Sequence, residues 1–309
     1  PHPPRSLLIA AFAAVYVIWG STYLAIRIAV ETMPPFLMAA SRFLIAGVSL
    51  LLLLLLRGVP LPPARLWKHS AIVGTLLLLG GNGLVVWAEQ TAPSSLAALI
   101  IAITPAWFAL LDWVRPGGHR PLPQTIFGII VGFSGVVLLV SGRDSVHAGE
   151  LSVLSVIALV TACLLWAAGS LYSKHSPKPE NPWMNVAAQM TCGGVALFLV
   201  ALLRGETSQV RWEAVSERSI AAFLFLVVFG SWIGFSAYVW LLKVSTPAKV
   251  STYAYVNPVI AVFLGWLVLG EQLNTRGIWA TVVIVIGVVI ITLPPIQTWR
   301  LPGRAAHTE

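Results

Sequence analysis

Arg42 lies in FLMAASRFLIAGVSLLLLLL (residues 36–55), a stretch with no other charge. A guanidinium offers a planar fork of donors matched to a carboxylate, so the chemistry it suggests is recognition of an anion. Charge at such depth requires a partner. Glu89, carbonyls opened by a kink, an anionic group of a solute, or snorkelling to the surface would each meet that need. A second signal is aromatic: Trp19, Tyr23, Trp107, Trp166, Trp232 and Tyr255 fall within long apolar runs. Their flat faces suit an amphipathic or aromatic solute. Trp19, Trp107 and Trp232 fall too deep for the interfacial belt, where Trp67, Trp113, Trp183 and Trp299 are expected. Asn82, Ser251 and Asn257 add hydrogen-bonding groups. Thr104-Pro105 and Asn257-Pro258 interrupt two of the runs, and each proline frees backbone polar groups. Pro105 and Pro258 are therefore the expected hinges.

Catalysis is not what these residues suggest. His2, His69, His119, His147, His175 and His307 all fall in tails, loops or run ends. A Ser-His pair at mid-membrane is thereby excluded, even though GSWIG (230–234) resembles a serine motif. Asp112 and Asp144 cannot form a buried dyad. Cys163 and Cys192 read as small apolar packing residues with no metal spacing. No enzyme activity, metal or cofactor is expected.

The elements that must position these side chains follow from composition. The 309-residue chain is 58% hydrophobic and 10% charged, with a mean hydropathy of +0.86, too apolar for a soluble domain. Nine charge-free runs occur at 6–26, 69–88, 90–111, 121–142, 151–173, 181–203, 219–242, 250–270 and 277–299, and a tenth, 32–56, is broken only by Arg42. About 20 residues at 1.5 Å each cross a hydrocarbon core of roughly 30 Å. The expected fold is all-α, a polytopic membrane protein of ten transmembrane helices. The first run is too long for a leader and no A-x-A site follows, so it is expected as helix 1. The net charge of +8 sorts by membrane side rather than marking a nucleic-acid surface. With the amino terminus inside, twelve Lys and Arg fall inside and six outside, so both termini are expected in the cytoplasm.

The runs repeat. An offset of 147 lays Trp19 on Trp166, Arg27 on Lys174, Arg42 on Gln189 and Gly47 on Gly194. Offsets of 153 and 152 lay Trp87 on Trp240, Pro105 on Pro258 and GVVLL (135–139) on GVVII (287–291). Residues 1–144 and 145–309 are thus two five-helix units, and an odd helix number makes the second inverted relative to the first. GIIVGFSG (128–135) and the glycines of the last run predict close, structural packing of helices 5 and 10.

WGSTYLAIRI (19–28), PPFLMAASRF (34–43), TAPSSLAALIIAITPAW (91–107) and LGEQLNTRGIWATVVIVIGVVII (269–291) resemble EamA-type members of the drug/metabolite transporter superfamily. That resemblance implies a ten-helix secondary exporter in a bacterial inner membrane, with helices 1, 3, 4, 6, 8 and 9 around a central cavity. The family's Glu after helix 9 matches Glu271, whereas the first half carries His119 there. The expected cargo is a small amphipathic metabolite, an aromatic or hydrophobic amino acid foremost, moved by alternating access. A multidrug or cationic-compound exporter and a membrane-embedded sensor are the alternatives. Expected partners are that solute and the lipid bilayer, with no nucleic acid, in a monomer or weak homodimer.

Overall fold

The computed structural model describes residues 4–92, 94–140, 152–269 and 275–293. Glu271, Trp299, Asp144, His2, His147 and His307 lie outside them. Among the described residues every regular element is a helix. We label them α1 (Arg5–Ala29), α2 (Pro35–Leu56), α3 (Ala64–Ala88), α4 (Ser94–Ile101), α5 (Thr104–Val114), α6 (Pro123–Val140), α7 (Val153–His175), α8 (Pro182–Leu203), α9 (Glu217–Val244), α10 (Tyr253–Leu269) and α11 (Thr275–Thr292).

Seven helical stretches among the described residues are long and apolar enough to cross a bilayer: α1, α2, α3, α7, α8, α9 and Pro247–Val268. The other three apolar runs are helical but shorter. The fourth is split into α4 and α5 at Ala102 and Ile103, while α6 and α11 have 18 residues each. The chain is a multi-pass membrane protein.

Local chemistry explains the helix ends. Pro35 and Pro182 occupy the first turns of α2 and α8, where a missing N–H costs nothing. Gly58 and Gly205 follow those two helices in the left-handed region, at φ 77° and 69°. They are 147 residues apart, and their amides bond Leu55 and Leu202, again 147 apart. Arg27, near the end of α1, donates to the carbonyls of Glu89 and Gln90 at the end of α3 (2.6 and 2.8 Å). Lys174, near the end of α7, donates to Leu242 and Ser245 at the end of α9 (3.1 and 2.6 Å). Both cations satisfy orphan helix carbonyls.

Helix α2 packs on α8, α6 on α11, α1 on α9 and α10, and α7 on α3 and α5. Small residues bring the backbones together. A Cβ on Gly47 would lie 2.6 Å from the Thr191 amide, and one on Gly194 would lie 2.9 Å from the Leu44 amide. Gly287 meets Gly132, and Gly135 meets Ile284, which closes the α6–α11 contact the glycine spacing predicts.

Glu206, buried in the loop after α8, caps α2 by accepting from the Leu37 amide (2.8 Å). Burial raises its carboxyl pKa above the ordinary value, outweighing the Leu37 amide and Arg204. Glu206→Ala should cost about 1 kcal/mol, read as a lower thermal midpoint in detergent. Because the folded pKa is raised, wild type should lose stability relative to Glu206→Gln as pH rises from the ordinary carboxylate pKa through the raised one. Identical pH profiles would contradict this.

Candidate functional site

Two helices widen at matching places. Residues Thr75–Gly83 of α3 and Leu226–Phe235 of α9 form π-type turns, each with glycines, which put extra backbone breadth at mid-helix. Trp19 of α1 lies against Gly234, and its Nε1 donates to Gly230 O (3.2 Å). Trp166 of α7 lies against Gly81. Gly81 and Gly234 are 153 apart, so the two tryptophans dock on equivalent glycines of the two halves. Here only the missing Cβ leaves room, since one at either site would lie 2.5 Å from the indole.

The indoles meet edge to face, with centroids 5.4 Å apart at 83°. Tyr238 and Tyr253 complete a four-ring cluster with centroids 4.8 and 5.2 Å from Trp19. Trp166 Nε1 donates to the Tyr238 hydroxyl (2.9 Å), which also bonds Ser170. Such tilted and edge-on pairs are each worth about 0.5–1.5 kcal/mol beyond burial.

Against this cluster is a cavity of about 70 Å³, lined by Trp19, Tyr23, Arg42, Asn82, Trp166 and Tyr253 among others. That volume holds several waters or a small solute. Among the described residues Arg42 is the one charged group lining it, and it is 3% exposed. Its Nε donates to Ser231 Oγ (2.8 Å), and its guanidinium lies over the Phe43 ring (4.6 Å to the centroid). Nη1 is buried with no hydrogen-bond partner among the described residues. The expected pair with Glu89 is not formed. Arg42 is seven residues into α2, about 10 Å along the axis, whereas Glu89 caps the end of α3. Asn82 Oδ1 is likewise buried and unpartnered.

Of the residues read from sequence, Trp19, Tyr23, Arg42, Asn82 and Trp166 thus meet at one cavity. The other five do not line it. Trp232 is 39% exposed, donates to Ala46 O (3.0 Å), and lines a separate crevice of about 840 Å³. Gly230 and Gly234, four residues apart, share the face toward Trp19, and Trp232, two residues from each, points the other way. Tyr255 is buried against Gly132 of α6. Ser251 is buried and bonds Ala248 O (3.0 Å). Trp107 packs beside Phe108 and Ala167, its Nε1 unpartnered. Asn257 is buried one layer behind, its amide nitrogen placed to donate to Tyr253 O (3.0 Å) and Tyr16 O (3.3 Å).

The prolines differ. Pro105 opens α5 just after the break, and Thr104 Oγ1 takes up the Ile101 carbonyl that the proline leaves free (2.6 Å). Pro258 sits inside the unbroken α10. Sequence reading missed Tyr238, Tyr253 and Ser231. The tyrosines fall near run ends, where they look interfacial, and Ser231 was visible only as part of GSWIG.

Trp232→Ala tests this geometry. With its ring outside the cavity, transport should stay within about twofold of wild type, as for a surface change of about 0.5 kcal/mol. A tenfold loss would return Trp232 to the transport route.

Comparison with known proteins follows the same outline. Residues 6–141 and 153–293 each match the EamA-like transporter family. The chain is 40% identical over 292 residues to the uncharacterized inner membrane transporter YedA of Escherichia coli (strain K12), covering 93% of this chain and 90% of that one. It is 25% identical to the uncharacterized transporter YvbV of Bacillus subtilis (strain 168), over 93% and 91% of the two chains. Protein PecM of Dickeya dadantii (strain 3937) is also 25% identical, over 89% and 88%. A crystal structure 22% identical in sequence superposes with a TM-score of 0.71, over 93% of this chain and 98% of that one, a likeness of fold.

Proposed function

Because the chain belongs to the EamA-like transporter family, we propose that this membrane transporter is a secondary exporter of small amphipathic metabolites bearing a carboxylate, aromatic or hydrophobic amino acids foremost. Arg42 carries the reading. A buried guanidinium with an unpartnered Nη1 opens onto a cavity walled by Trp19, Trp166 and Tyr253. A carboxylate would complete that fork while an apolar side chain packs on the rings. Tyr23, Asn82 and Thr104 supply further polar contacts. Cargo larger than the cavity needs the aromatic cluster to swing aside.

The architecture in this proposal is ten spans in two inverted halves, 1–144 and 145–309, in the inner membrane with both tails in the cytoplasm. Paired contacts support it. Gly47 with Thr191 and Gly194 with Leu44 exchange when the halves are exchanged, as do Arg27 with Glu89 and Lys174 with Leu242. Alternating access would rock the halves about the broken fourth span and about α10 at Pro258. A monomer suffices, and a weak homodimer is compatible.

Reconstitution with a panel of amino acids, nucleosides and lipophilic cations tests the proposal. Saturable uptake and counterflow for carboxylate-bearing amino acids is the expected result. A cationic-compound exporter would show the opposite preference, which a lone cavity guanidinium disfavours. A sensor would bind without counterflow.

A further inference from the structure

Glu89 is a buried acid that does not itself line the cavity. It caps α3, one residue before the exposed Gln90, yet is itself 0% exposed, and both carboxylate oxygens lack a hydrogen-bond partner among the described residues. One turn earlier on the same helix Val85 lines the cavity, and the Tyr23 hydroxyl, also lining it, is within electrostatic reach of the carboxyl. Glu89 therefore sits in the plug between the cavity and the face that the proposed orientation makes external.

The equivalent position in the second half is Leu242, by the 153-residue offset that pairs Trp87 with Trp240. Leu242 is 2% exposed, and its carbonyl is capped by Lys174 as that of Glu89 is by Arg27. The architecture works with a leucine there, so packing does not demand an acid. A buried carboxylate without donors is costly, whereas the neutral acid is tolerated.

We propose that Glu89 is a proton-binding site in the external plug, neutral while the plug is closed and ionised when it opens. On opening, its O–H bond breaks and the proton passes to water. On closing, a proton from the external solution returns to it. Around it, α1 presents Tyr23 and Arg27, whose guanidinium is engaged by backbone carbonyls. Cys163 on α7 and Arg42 on α2 are deeper, and Glu31, Arg204, Glu206 and Arg211 line the outer pocket beyond Gln90. Burial raises the Glu89 pKa, with Arg27 opposing. An acid raised in the closed form makes that form favoured at low pH. Above the exposed-carboxylate pKa, each pH unit shifts the balance about tenfold toward the open form, until the buried pKa is passed.

This deepens the transport reading and rests on it for the meaning of the plug, but its primary test needs no cargo. Infrared difference spectra of the protein in lipid should show a protonated-carboxyl C=O band at neutral pH that fades on alkalinisation and is missing in Glu89→Gln. Glu89→Leu, the residue of the other half, provides a second neutral variant should the amide disturb folding. Counterflow of the panel amino acids should vary with external pH in wild type and lose that dependence in both variants. A spectrum that Glu89→Gln leaves unchanged, or counterflow with the same pH profile in variant and wild type, would overturn the assignment. A band without any cargo movement would leave the proton site standing and defeat the amino-acid reading instead.

Discussion

Replacing Arg42 with glutamine should lower transport of carboxylate-bearing cargo by roughly 10- to 100-fold, since a hydrogen bond to a charged group is worth about 1.5–3 kcal/mol. The fold should survive, because the equivalent position of the second half is already a glutamine. Gln189 is buried and donates to Asn185 (3.1 Å) and Ser173 (3.3 Å). Glutamine at position 42 keeps one donor within reach of Ser231 but loses the fork and the charge. Arg42→Lys separates the two losses: charge without the planar fork should restore part of the activity for carboxylates. Initial rates in proteoliposomes, matched for protein by a thermal unfolding profile, provide the readout. If Arg42→Gln transports amino acids as wild type does, the guanidinium is a packing device shared with Ser231 and Phe43, and cargo recognition lies elsewhere.

The span pattern was legible because a bilayer enforces it. A chain without water must bond its own backbone, so hydropathy and charge placement suffice to mark helices. The repeat was legible in Trp19 and Trp166 for a related reason, since an indole at the helix interface needs a glycine opposite, and Gly81 and Gly234 occur at the matching offset. Side-chain direction was not legible in α9. Gly230 and Gly234, four residues apart, share the face against Trp19, and Trp232, two residues from each, lies on the opposite face; in a span apolar all round, hydropathy does not mark which of those faces turns inward. The partner of Arg42 was hidden as well. Pairing it with the nearest acid assumes that charge seeks charge, but Ser231 and the Phe43 face are what the α2–α9 contact offers. Glu89, one residue past the end of a charge-free run, is nevertheless buried, with Arg27 bonding its carbonyl.

Gly74 should be a site where a small added group does large structural damage. A Cβ there would lie 2.5 Å from the Gln189 carbonyl oxygen and 2.6 Å from the Gly193 amide, both backbone atoms of α8. Flexible side chains can yield to an added methyl, but the ladder of a neighbouring helix cannot, so α3 must move off α8 as a unit. That displacement opens gaps along a close contact whose attraction in lipid comes chiefly from packing. Gly74→Val should cost about 3 kcal/mol or more, the upper end of overpacking penalties. In a domain of this size the corresponding drop in thermal midpoint is roughly 6–12 °C. Gly58→Ala is the contrasting case: nothing stands within 4 Å of its Cβ, but its φ of 77° is strained for alanine. It should cost only about 1–2 kcal/mol, and Gly58→Asn less, because asparagine visits that region more readily. A Gly74→Val protein as stable as wild type would mean that α3 and α8 are not packed backbone to backbone, and the transport cavity bounded by α3 would then need a different wall.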